Sequence, residues 1–229
     1  MVEGYTMEQV TKLLQSLQGF NLSEIIVLAI VFLAFWFFQK SESFNEFCRH
    51  EIQDIDDDRR EELMHMTQEV VAQLARNSIS TSIKCAMTRK ALADAILSPL
   101  VESVNSNHFT KRLLPEHYSS FRQGLLRRME SSYSAIRQAY VDFDCEESPV
   151  PEWKESKQVC EYILAYWLSE LCLSVAHSCE RKITAYEKYL PHFKFSIHYK
   201  TITKDRIKRN KTYIKELNEL HSKLKQELK

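Results

Sequence analysis

The chain has 229 residues, and its 31 Lys and Arg balance 31 Asp and Glu, so no global charge draws it towards nucleic acid. Three glycines and five prolines leave little punctuation for hairpins and tight turns, which excludes a turn-rich β fold and points to an all-α architecture. Six cysteines with no C-x-x-C spacing read as small buried apolar residues, not as a disulfide framework.

In chain order, Met7, Val10, Leu13, Leu14 and Leu17 recur at helical spacing among polar residues. Residues 1–21 therefore read as an external amphipathic segment lying on a membrane surface. Leu22 to Phe38 follows, with fourteen uninterrupted apolar residues from Ile25. Residues 22–40 are predicted to form a transmembrane helix, at the short end for a hydrocarbon core of roughly 30 Å. The run is apolar on every face, and Trp36 and Lys40 suit an interfacial belt and a snorkelling anchor. No Ala-x-Ala-like site follows Phe38 and no Lys/Arg-rich region precedes the run, so it reads as a retained anchor. Asn21 to Glu24 reads as a capping box; the functional alternative is a ring of Glu24 carboxylates in an oligomeric pore.

Lys12 is the only basic residue before the span, whereas Lys40, Arg49, Arg59 and Arg60 follow it. The positive-inside rule then leaves the N-terminus outside and the rest of the chain in the cytoplasm, at the cell's inner (plasma) membrane. Residues 41–142 are expected to form cytoplasmic helices. Their first feature is an acidic cluster, Asp54, Asp56, Asp57 and Asp58. It resembles, superficially, the aspartate-rich motifs of prenyl-chain enzymes and would suit a divalent cation, but adjacent aspartates on a helix diverge. A solvated face is the favoured reading; in an oligomer the same acids would ring a cytoplasmic mouth.

Leu63, Met66, Val70 and Leu74 mark a core-facing stripe. Ile83 to Val104 marks a second helix that Pro99 should kink or divide. Pro115 opens a third, with Phe121, Leu125, Met129, Ile136 and Tyr140 inward. Residues 143–152, rich in acids with two prolines, read as a linker. Residues 153–229 then supply a long core helix, a short strand and a basic C-terminal helix. The long helix carries Ile163, Leu164, Trp167, Leu168, Leu171, Val175, Cys179, Ile183 and Tyr186 on one broad face, while Glu161 and Glu170 argue against a second crossing. Residues 193–199 alternate apolar and polar with a period of two, a strand signal. The tail has coiled-coil-like spacing and either contacts another subunit or docks on its own domain.

Lys200, Lys204, Arg206, Lys208, Arg209, Lys211 and Tyr213 form the candidate ligand site, because basic side chains near aromatics suit phosphate-rich ligands such as a nucleotide or oligonucleotide. A solvated lysine face and attraction to anionic lipid are the competing readings. No catalytic, metal or cofactor motif appears, and the chain is not read as an enzyme. The expected function is a homo-oligomeric membrane effector. Its cytoplasmic domain senses a phosphate-rich ligand or a protein regulator and controls a pore or bilayer disruption. Small bacterial immunity effectors and phage lysis proteins share this plan of architecture. The alternative is a passive membrane-tethered scaffold or adaptor.

Overall fold

The computed structural model describes residues 22–79, 86–106, 109–142, 152–193 and 196–229. The external amphipathic segment and the 143–152 linker, apart from Glu152, lie outside the described residues. Nearly all described residues are helical, as the scarcity of Gly and Pro predicts. The chain divides at Arg49 and His50 into two units, inside a π-helical turn, Cys48–Ile52.

The described part of the first unit is essentially one helix, α1 (Leu22–Phe47). From Ile26 to Phe38 its large apolar side chains are exposed, Phe32 and Phe38 to 65%, and only Trp36 is half-buried.

The second unit packs five helices: α2 (Gln53–Ile79), α3 (Ala86–Asn105), α4 (Pro115–Asp142), α5 (Trp153–Tyr189) and α6 (Ile197–Glu227). A 3-10 segment, Phe109–Leu113, joins α3 to α4, and another, Leu190–Phe193, holds Pro191 at the end of α5. Asp54 and Asp56 sit in the first turn of α2, where they complement the positive end of the helix dipole. Pro115 begins α4, a position whose N–H needs no helical acceptor. Pro99 does not divide α3, which runs through it.

Helix α5 is the centre of this unit. All nine residues of its predicted apolar face are buried. Leu63, Thr67 and Val71 of α2 and Phe121, Leu125, Met129 and Tyr133 of α4 are buried in the same interior. Trp167 is fully buried, and its indole N–H donates to Thr67 Oγ1 at 3.0 Å. The Thr67 hydroxyl in turn donates to the Leu63 carbonyl at 2.5 Å. A large aromatic can thus be buried with its one polar atom satisfied.

No strand forms among the described residues of 193–199, where one was expected. Ile197–Tyr199 form the first turn of α6, and Phe193 ends the preceding 3-10 segment. Ile197, an apolar position of the alternating pattern, is 84% exposed. A lone strand leaves its ladder groups unpaired, whereas a helix satisfies its backbone internally, and the 31-residue α6 takes in the last three residues of this stretch. The tail docks on its own domain: α6 returns antiparallel along α5 with Leu217 and Leu224 buried, and His221 Nδ1 lies 3.0 Å from Ser169 Oγ.

Replacing Thr67 by Val keeps the volume but leaves the Trp167 N–H without its acceptor. Chemical denaturation of the full-length chain in detergent should show a loss of about 1–3 kcal/mol.

Candidate functional site

The acidic cluster separates according to helix geometry. Asp56 lies 2.6 Å from Lys182 Nζ and 2.8 Å from Arg59, and Asp58 lies 2.7 Å from Arg181. Glu62 reaches the same Arg181 at 3.9 Å. Asp54 and Asp57, three residues apart and so on one helix face, are exposed. The Lys182 side chain is only 15% exposed and that of Arg59 18%, so the Asp56 network is partly shielded from solvent and fixes α2 against α5. Among the described residues no group of three or more His, Cys, Asp and Glu is arranged to hold a metal ion. Glu24 falls in the first turn of α1, and its side chain lies outside the described residues.

The basic residues of α6 divide between structural and open roles. Arg206 donates to the Tyr186 hydroxyl at 3.1 Å and its guanidinium stands 5.8 Å from the centre of that ring. Lys211 pairs with Glu187 at 3.3 Å. These two side chains hold α6 to α5. Lys208, Arg209 and Tyr213 instead line a cleft of about 690 Å³ together with Thr110 and Lys111 from the 3-10 segment and Leu114 just after it. Lys200 and Lys204 do not line it. Asp205 and Glu216 do, so the cleft carries three cations against two carboxylates.

Thr110 and Lys111 were not legible as site residues. They are about 100 positions from Tyr213 in sequence, and only the docking of α6 brings them together. The Tyr213 hydroxyl donates to the Thr110 carbonyl and closes one wall. Burial pushes the Tyr213 hydroxyl well above its ordinary pKa. At the far end of α6, Arg122 bridges Glu227 at 2.7 Å and approaches the Tyr118 hydroxyl at 3.5 Å. Burial, opposed in part by Arg122, pushes Tyr118 up to about 12. Three cysteines that were read as apolar, Cys160, Cys172 and Cys179, are buried free thiols.

Comparisons of the chain with protein families, curated proteins and solved structures give no match. Its geometry is that of an all-α chain: among the described residues two helical stretches, one starting at Ile26 and the other Ser156–His192, are long and apolar enough to cross a membrane. The second packs as α5, with 61% of its apolar window buried in the unit; the window of the first is wholly unburied.

Two outcomes test these assignments. Asp56→Asn should destabilise the full-length chain by about 1–3 kcal/mol, because Lys182 then keeps a half-shielded charge without its closest partner; Asp54→Asn and Asp57→Asn should stay within about 0.5 kcal/mol. For the buried tyrosines the sign follows from linkage. The unfolded chain releases these protons near 10.0 and the folded chain holds the Tyr118 proton to about 12. Their contribution is therefore complete below the unfolded value and falls as pH rises through the folded one. Stability measured from pH 9 to about 12 should decline more steeply for the native chain than for Tyr118→Phe/Tyr213→Phe.

Proposed function

We propose that this chain is a single-pass membrane protein in which α1 crosses the bilayer. The N-terminal segment lies outside, and the helical unit works at the cytoplasmic face as a membrane-held adaptor. Through the α6 cleft it engages a phosphate-rich ligand or a protein regulator. The observation that carries this reading is α1 itself, whose side chains from Ile26 to Phe38 are all apolar and, apart from the half-buried Trp36, exposed. A helix of that kind is stable in hydrocarbon and unfavourable in water. Leu22 to Phe38 spans about 25 Å at 1.5 Å per residue, Trp36 suits the interfacial belt near its end, and Lys40 extends the anchored length into the headgroup region. Lys40, Arg49, Arg59 and Arg60 beyond the span support the cytoplasmic orientation.

The oligomeric effector is the second reading, and it draws on Ser23 and Glu24 at one end of the span. It is weakened where the acids are concerned. Asp56 and Asp58, which a cation-attracting mouth would use, are engaged by Lys182 and Arg181. The tether requires no pore and no assembly.

The test uses the full-length chain and Ile30→Arg/Leu33→Arg. Two central arginines cost about 5–7 kcal/mol of insertion free energy, so the variant should leave alkali-washed membranes while the native chain stays in the pellet. Native protein purified in detergent should then be monomeric by particle mass and leave ion-loaded liposomes tight. Leakage from a defined oligomer, reduced by Glu24→Gln, would replace the tether with the effector. Retention of the double variant in the pellet would remove α1 as the anchor.

A further inference from the structure

We infer that a second groove, on α4, binds a phosphate-monoester anion. This inference stands apart from the α6 cleft and does not rest on the role proposed for it. The groove has a volume of about 460 Å³ and is lined by Arg112, His117, Ser120, Phe121, Gly124 and Arg128. The five α4 residues are spaced three, one, three and four apart, which puts them on one face of the helix. Arg112 enters from the preceding 3-10 segment, and its guanidinium stands 5.8 Å from the centre of the Phe121 ring. Phe121 is buried and meets Phe109 edge-on at 6.2 Å, so the aromatic platform under Arg112 is fixed by the core.

Gly124 is the informative residue. It sits inside α4, where glycine weakens a helix relative to alanine. A Cβ at this position would meet nothing within 4 Å, so packing within the chain does not require the glycine. What the missing side chain does is bare the helix surface at the floor of the groove.

The lining offers two guanidinium groups, an imidazole and a hydroxyl, and no carboxylate. Glu102 approaches Arg128 at 3.6 Å and Glu116 approaches His117 at 3.5 Å, in both cases between exposed side chains. Such solvated pairs are weak and yield to a doubly charged oxyanion. Arg112 and Arg128 would take its oxygens in charge-assisted hydrogen bonds, and the Ser120 hydroxyl would donate a third. The Ser120 hydroxyl now donates to the His117 carbonyl at 2.9 Å, a local bond it can exchange. The volume accommodates an organic portion beyond the phosphate. A soluble phosphate monoester and a lipid headgroup present the same chemistry here.

The test is calorimetric titration of the full-length chain in nonionic detergent, with inorganic phosphate in one arm and mixed micelles containing phosphatidic acid in the other. Saturable binding is expected, weakened about tenfold by Arg112→Gln or Arg128→Gln and lost in Gly124→Leu, with Lys223→Gln, an exposed α6 position that does not line the groove, within about twofold of the native chain. Circular dichroism and the melting temperature would show each variant folded; should Gly124→Leu not fold, the two arginine changes carry the test. Binding in both arms assigns a soluble phosphate ester as sufficient, and binding only with phosphatidic acid assigns the lipid headgroup. Absence of saturable binding in both arms would overturn the inference, as would binding that survives the arginine changes and Gly124→Leu.

Discussion

The buried hydrogen bond from the Trp167 indole to Thr67 is the constraint on which the second unit depends. An indole nitrogen deprived of solvent needs an acceptor, and Thr67, itself buried, supplies one only at a single register of α2 against α5. The same ring lies 6.5 Å from Phe109, which meets Phe121 of α4, so one residue near the middle of α5 joins α2, the 3-10 segment and α4. Ion pairs then reinforce that register at the periphery. Asp56 with Lys182 and Asp58 with Arg181 close the α2–α5 contact at the end remote from the indole.

The return of α6 along α5 converts sequence-local charge into separate roles. Arg206 and Lys211, each two positions from Lys208 or Arg209, are engaged by α5, while the other two line a cleft. Helical spacing alone does not account for this, since Arg206 and Arg209, like Lys208 and Lys211, are three apart; what the neighbouring elements place opposite each side chain decides its role. The short 3-10 segment matters out of proportion to its length. Lys111 lines one basic groove and Arg112 the other, and Phe109, Thr110 and Leu113 tie the segment to the core and to α6.

Helix α1 follows a different rule from α5. Both are long and apolar enough for a bilayer, yet α5 gives its apolar side chains to protein neighbours and α1 leaves them uncovered. Hydrophobicity drives burial in either case, and the identity of the covering phase is decided by what else the chain packs there. Glu161 and Glu170 distinguish the two helices chemically, because carboxylates at these positions are tolerable at a protein surface and costly in lipid. Glu170 is held by Lys225 of α6 at 3.3 Å.

The sequence by itself determined the helical class, the positions of most helices and the burial of α5. Those properties follow from periodicity and from the rarity of Gly and Pro, which act over neighbouring residues. It also identified Lys208, Arg209 and Tyr213 as residues of interest, though among others that turn out to hold helices together. Its strand signal at residues 193–199 gives way to helix at Ile197–Tyr199, because a short alternation does not outweigh the propagation of a long helix docked through Leu217 and Leu224. Tertiary structure alone decided that Asp56 and Asp58 pair while Asp54 and Asp57 do not, that Thr110 and Lys111 meet α6, and that Gly124 floors a groove between two arginines. Each of these depends on contacts between residues far apart in the chain. Such contacts are fixed by how whole helix faces fit together, a property that local spacing does not encode.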